Sequence, residues 1–160
     1  MKMQETSQEE MVWYFAYGSN LSMSQMLTRV GEWRKSKKAV LKGWKLVFNA
    51  QSSYWDGKTA NIVQTHNPKD KVYGAIYQIM KQKLSVLTKY EHKGQKDPID
   101  IEVESEGSKT PAKAYVFDGG ESAEPPKPYL ETIVSGLKQH CYEKDIINHV
   151  RRIANPHTEK

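Results

Sequence analysis

Val12-Trp13-Tyr14-Phe15-Ala16-Tyr17, followed at once by Gly18-Ser19-Asn20-Leu21, governs how the rest of the chain is read. The first six residues are aromatic or apolar without alternation, as expected of a strand buried on both faces. Gly18-Ser19-Asn20 breaks that run. From Ser22 to Val30 the pattern turns helical, with Leu21, Met26, Leu27 and Val30 at roughly the right spacing, and Ser22 or Asn20 is placed to cap the helix. The unit is strand, tight turn, short helix. A glycine at that turn lets a ligand approach the backbone closely. The helix start adds N–H groups without intrahelical acceptors and a positive partial charge. Such a turn suits a carboxylate or phosphate. Taken alone, the same tetrapeptide also fits an ordinary turn with a helix cap.

Working outward, Ala39 to Asn49 alternates through Val40, Leu41, Trp44, Leu46 and Phe48, which predicts one strand with Gly43 as a bulge or bend. A polar loop over 51–58 carries Tyr54 and Trp55. Ala60 to Gln64 is a short strand, Asn67-Pro68-Lys69-Asp70 a turn, and Val72 to Met80 a clearly alternating strand. Gln82 to Tyr90 is helical, and Gly94 is placed to stop it. Two more strands follow, Ile99 to Glu104 and Ala112 to Phe117, joined by Glu106-Gly107-Ser108-Lys109. Residues 121–128 form a proline-rich loop. Tyr129 to Tyr142 and Glu143 to Ile153 are amphipathic helices. The expected class is α+β: a small, mixed, partly closed β-barrel of about six strands with helices packed outside. The domain is expected over residues 12–155, with a disordered lead at 1–11 and a short tail at 156–160.

The 160 residues are enough for one domain with its own core. With 38% hydrophobic and 27% charged residues, the composition is polar but globular, not that of a disordered chain. Cys141 is the single cysteine, so no internal disulfide can form, and a reducing, cytoplasmic home is expected. No apolar run approaches the roughly 20 residues that span a bilayer, and residues 1–11 lack the pattern of a signal peptide. Net charge is +5, densest at Arg34-Lys35-Ser36-Lys37-Lys38. A solubilising surface explains it, and no zinc spacing or RNA-binding strand motif accompanies it, so nucleic acid is not the expected partner.

Glu91 ends a helical pattern, where the negative helix terminus raises a carboxyl group toward the range of a general base. A solvated glutamate has the same sequence signature. His66, His92, His140, His149 and His157 show no metal-ligand spacing, so no bound metal is expected. His140 and Cys141 adjoin on a helix and point apart, which places Cys141 as a core residue rather than a nucleophile. GxGxxG and GxxxxGK[ST] are both lacking.

In combination, Tyr14-Phe15-Ala16-Tyr17-Gly18-Ser19-Asn20-Leu21, the segment 57–64, Lys71-Val72-Tyr73-Gly74-Ala75-Ile76-Tyr77, Leu87-Thr88-Lys89-Tyr90-Glu91 and the proline-rich stretch ending at Tyr129 resemble the γ-glutamylcyclotransferase (AIG2-like) family. The resemblance covers about Tyr14 to Ile153. It implies that a γ-glutamyl amino acid or amine is cyclised to 5-oxoproline with release of the amino acid or amine. It further implies Glu91 as general acid and base, and Tyr14, Phe15, Ala16, Tyr17, Gly18, Ser19, Asn20, Leu21 and Tyr129 as the substrate-binding set. No cofactor is implied. The partner is a small γ-glutamyl substrate, and a homodimer using Trp33 or Trp55 is open. The chain departs from the family pattern after the glutamate: His92 follows Glu91, Gly94 is displaced, and Asp97-Pro98 precede the next strand. That departure keeps open a divergent, non-catalytic member that binds a small carboxylated ligand.

Overall fold

A computed structural model describes residues 10–52, 55–90 and 97–156. The expectations at Tyr54, Glu91, His92, Gly94 and His157, and for residues 1–9, lie outside the described residues. Within them run seven strands: β1 (Met11–Ala16), β2 (Lys35–Lys42), β3 (Trp44–Ser52), β4 (Gly57–Gln64), β5 (Lys71–Met80), β6 (Ile99–Ser105) and β7 (Ser108–Ala114). Four α-helices accompany them: α1 (Met23–Val30), α2 (Leu84–Tyr90), α3 (Lys127–Gln139) and α4 (Lys144–Ala154).

The α+β class holds, and the barrel is closed in the order β1-β5-β2-β6-β7, with β3 and β4 forming a separate two-stranded sheet. β1 pairs antiparallel with β5, from Met11 opposite Met80 to Ala16 opposite Ala75. A parallel contact of Tyr14 with Lys113 on β7 closes the ring. The doubly apolar β1 is explained by this closure. Phe15 points to one side and is fully buried, while Tyr14 points to the other and is 4% exposed.

Three expectations are corrected. The single strand over 39–49 is two strands, because at Gly43 the chain turns with φ 85° and leaves the barrel. Asp70 accepts from the Gly43 N–H at 2.9 Å, tying that corner to the start of β5. The strand expected at Ala112–Phe117 ends at Ala114, so Tyr115 and Phe117 lie beyond β7. Cys141 is exposed, not core. There α3 ends in a paired C-terminal motif, with Cys141 N–H on the Lys138 carbonyl and Tyr142 N–H on the Leu137 carbonyl, both 3.0 Å. Cys141 occupies the left-handed position, φ 66°, which turns its side chain away from the helix face.

On α1 the inward face is Met26, Arg29 and Val30, while Leu27 is 54% exposed. Ser22 caps this helix through its hydroxyl, which accepts from Gln25 N–H at 3.2 Å. The half-buried Trp33 and Trp55 pack inside the chain, edge-on to Tyr77 at 4.9 Å and to Tyr129 at 5.0 Å between ring centroids. In the basic cluster, Lys37 pairs with Glu106 at 3.1 Å and Lys38 lies over the Tyr142 ring. No helix among the described residues is long and apolar enough to cross a membrane.

Behind the turn that follows β1, α3 makes direct backbone contact. A Cβ on Gly136 would stand 2.3 Å from the Leu21 carbonyl carbon and 2.5 Å from the Ser22 nitrogen. In a free helix Gly→Ala gains about 1 kcal/mol. Here backbone atoms block the methyl group, so Gly136→Ala is expected to destabilise the fold by roughly 1–3 kcal/mol, the scale of overpacking. Urea denaturation measures this, and an unchanged or raised midpoint contradicts the close packing.

Candidate active site

The turn after β1 is a short 3-10 helix, Ser19–Leu21, closed by Leu21 N–H on the Gly18 carbonyl at 3.0 Å and Ser22 N–H on the Ser19 carbonyl at 2.9 Å. Ser19 and Asn20 are both buried. Asn20 is held from two directions. Its amide nitrogen donates to the Tyr14 hydroxyl at 2.9 Å. Its amide oxygen accepts from Arg29 Nη1 and from Gln25 Nε2, each at 3.0 Å. Gln25 Nε2 also donates to Ser19 Oγ at 2.6 Å. One turn of α1 thus presents two side chains, four residues apart, to the same loop.

From the opposite side comes Tyr129, in the first turn of α3. Its hydroxyl accepts from Ala60 N–H on β4 at 2.9 Å. A Cβ on Gly18 would lie 2.8 Å from that hydroxyl oxygen, so only glycine fits there without displacing Tyr129. Tyr17 donates its hydroxyl hydrogen to the Tyr115 carbonyl. The Tyr115 hydroxyl lies 2.7 Å from Thr88 Oγ1 and donates to the Leu84 carbonyl at 2.9 Å, both on α2. The guanidinium of Arg29 lies over the Tyr90 ring, 4.4 Å from its centroid.

These groups enclose one pocket. Its floor is Tyr14, Tyr17, Gly18, Ser19 and Asn20; its walls are Arg29, Tyr90, Tyr115, Phe117 and Tyr129; Gln51, Ser52, Trp55 and Thr59 stand at the β3–β4 side. Six of the nine expected binding residues therefore meet at the pocket: Tyr14, Tyr17, Gly18, Ser19, Asn20 and Tyr129. Phe15, Ala16 and Leu21 do not line it. Phe15 and Ala16 face β5, since a Cβ on Gly74 would meet the Ala16 carbonyl and the Phe15 ring. Leu21 turns its carbonyl toward α3. Glu91 lies outside the described residues, directly after Tyr90, which lines the pocket.

Sequence reasoning passed over Arg29, Gln25, Tyr115 and Phe117. For Arg29 a signal existed: it falls three residues after Met26 and next to Val30, on the buried face of α1. Tyr115 and Phe117 were hidden in a run that reads as strand throughout. Chemically, the pocket combines backbone N–H groups at a helical start, tyrosine hydroxyls and one buried cation. That set has the chemistry to hold a small ligand bearing a carboxylate and an amide.

The Leu21 carbonyl, on the far side of the turn, accepts from the Tyr77 hydroxyl at 3.1 Å. His140 Nε2 lies 3.2 Å from the same oxygen and 3.1 Å from the Tyr77 hydroxyl. Burial pushes His140 below the usual histidine range, against a smaller opposing pull from the Leu21 carbonyl. The unfolded chain therefore binds more protons in that window, and stability is complete above about pH 6.5 and drains away as pH falls. Burial pushes His149 the same way, but its side chain is exposed and its share is small. His140→Gln is expected to flatten the loss of stability between about pH 7 and pH 5, followed by urea midpoints. Equal acid losses in the two proteins would assign the effect elsewhere.

Residues 14–136 match the family model described as gamma-glutamyl cyclotransferase, AIG2-like. A gamma-glutamylcyclotransferase of Bos taurus is 34% identical over 134 residues, covering 79% of this chain and 70% of that protein. Its namesake in Homo sapiens is 33% identical over 139 residues, covering 82% and 73%. A solved structure of a gamma-glutamyl cyclotransferase superposes with a TM-score of 0.81 at 28% identity, covering 94% of this chain and 93% of its own.

Proposed function

Because the chain belongs to the γ-glutamyl cyclotransferase, AIG2-like family, we propose that it cyclises the γ-glutamyl group of a small conjugate to 5-oxoproline, with Glu91 as the acid and base. In this reaction the substrate's α-amino nitrogen attacks its own γ-carbonyl carbon. A new C–N bond closes the five-membered lactam, and the old amide C–N bond breaks. The amine enters as an ammonium, with a pKa of roughly 8 by analogy with chain termini. A base must take its proton, and the leaving nitrogen must receive one. A single carboxylate does both in turn, and general acid–base help of this kind is worth about 10²–10⁴-fold. Attack within one molecule needs no second reactant, so holding the substrate folded back on itself supplies much of the remaining acceleration.

One observation carries the reading. The Gly18–Asn20 turn, fixed by Arg29, Gln25 and Tyr129, opens onto the same pocket as Tyr90, the residue before Glu91. N–H groups at the start of such a turn anchor a carboxylate and stabilise the oxyanion that forms at the γ-carbonyl. Among the described residues the pocket walls are aromatic, so the leaving group is taken to depart past Tyr115, Phe117 and Trp55. The site, with polar groups at its floor and aromatic walls, suits a γ-glutamyl amino acid or a γ-glutamylamine.

Glu91→Gln is expected to lower kcat for 5-oxoproline release by about 10²–10⁴-fold with the melting temperature unchanged. Full activity in that variant would remove Glu91 from the mechanism. Running γ-glutamyl amino acids and γ-glutamylamines side by side identifies the leaving group. If the wild-type chain binds both and releases 5-oxoproline from neither, it is a ligand-binding relative and not a cyclotransferase.

A further inference from the structure

The pocket is small. It encloses about 50 Å³, well below the roughly 300–1,000 Å³ of cavities that take a drug-sized ligand. A γ-glutamyl group held on the Gly18–Asn20 turn fills such a space, so the group joined to it is pressed against the wall. On the leaving side that wall includes the rings of Tyr115, Phe117 and Trp55. Tyr115 and Phe117 are buried and stacked, with centroids 6.4 Å apart and planes 7° apart. Trp55 is half-buried, so of the three it is the ring that stands between the cavity and solvent.

Each ring is tied in place. Asn61 holds both the N–H and the carbonyl of Phe117, each at 2.9 Å. The Tyr115 hydroxyl donates to the Leu84 carbonyl at 2.9 Å. Trp55 lies between β3 and β4, where its N–H donates to Ser52 Oγ at 3.1 Å. Just beyond it Asp56 takes the left-handed conformation, φ 59°, and a Cβ on Gly57 would lie 2.8 Å from Pro126 Cγ. The indole meets Tyr129 edge-on at 5.0 Å, and the Tyr129 hydroxyl accepts from Ala60 N–H at 2.9 Å. A wall packed in this way does not give to a group several atoms too large.

We propose that Trp55 is a specificity-determining residue whose indole sets an upper size for the leaving group: conjugates of a glycine- or alanine-sized amino acid are accepted, and those carrying an aromatic ring are excluded. The idea rests on the cyclotransferase reading and narrows its substrate class. It is steric, and Trp55 takes no part in the proton transfers.

γ-Glutamylalanine and γ-glutamylphenylalanine share every charged group and differ by one ring, so their kcat/KM ratio reads size alone. The wild type is expected to favour the alanine conjugate by about tenfold or more, the scale of overpacking in a tight site. In Trp55→Ala the phenylalanine conjugate is expected to gain about tenfold and the ratio to fall within about threefold, with Trp55→Phe between the two. A damaged fold lowers activity, so a gain on the larger substrate is an effect that a purely structural role does not produce. Equal turnover of the two conjugates by the wild type, or a folded Trp55→Ala with no gain on the phenylalanine conjugate, overturns the proposal. If the wild type releases 5-oxoproline from neither conjugate, the cyclotransferase reading fails separately. Calorimetry with the same two compounds then decides the size limit: tighter binding of the alanine conjugate by the wild type and equal binding of both by Trp55→Ala supports it, and any other pattern overturns it. Should Trp55→Ala fail to fold, judged by its melting temperature, Trp55→Leu is read by the same ratio.

Discussion

The carbonyl oxygen of Leu21 accepts from a tyrosine of β5, lies within hydrogen-bonding distance of a histidine at the end of α3, and is pressed by the bare backbone of Gly136. Tyr77 stands 56 positions along the chain and His140 stands 119. The pocket-facing turn, closed locally by only two backbone bonds of its own, therefore depends on distant parts of the chain for its position. It is held in place when the barrel is closed and α3 is docked, and both depend on contacts of long sequence separation. Packing at Gly136 is close enough that a methyl group cannot be absorbed. The N–H groups on the other side of the turn inherit that rigidity, and a fixed set of donors is what stabilisation of developing charge requires.

Around this fixed point the aromatic residues divide by task. Behind the turn, the buried Tyr77 and the half-buried Trp33 meet edge-on, and the Tyr77 hydroxyl braces the Leu21 carbonyl. Tyr14, Tyr17, Tyr115 and Tyr129 stand at the pocket, and each likewise has a hydroxyl tied to backbone or to an amide side chain. A buried phenol without a partner would cost about 1–3 kcal/mol, so these bonds are a condition of placing tyrosines there at all. They also give the pocket polar points without mobile side chains. The family match and the geometry meet at this floor, which Tyr14, Tyr17, Gly18, Ser19 and Asn20 build beside Tyr129.

Much of this was legible in the sequence. The unbroken apolar run of β1, the Ser22 cap and the switch from alternation at β5 to helical spacing at α2 each follow from local preference, and the structure agrees. What was not legible had a common cause. The alternation of Val40, Leu41, Trp44 and Leu46 continues across Gly43, so the glycine reads locally as a bend within one strand and not as the point where the chain leaves the barrel for another sheet. Tyr115 and Phe117 continue the strand pattern of β7 because the pocket wall demands large apolar bodies just as a core does. Arg29 was overlooked because residue class was weighed above helical position. Leu27, one place off the inward face, was assigned to the core for the same reason. Cys141 was counted on a helical stripe that ends two residues earlier.

The side chain of Asn61 behaves as a short length of strand. Its amide donates to the Phe117 carbonyl and accepts from the Phe117 N–H, both at 2.9 Å, while the bulged Asn49 reaches Gly120 nearby. The segment from 115 to 126 is thus moored to the β3–β4 sheet at a few points, by these amide side chains and by two separate backbone bonds, Gly120 N–H on the Asn49 carbonyl at 3.2 Å and Ala123 N–H on the Phe48 carbonyl at 3.1 Å, rather than by a continuous ladder. A ladder transmits any insertion as a shift of register along its whole length. Point moorings do not. Residues between them can be added, removed or exchanged while Phe117 keeps its place, so this side of the pocket can be recut without disturbing the barrel behind it.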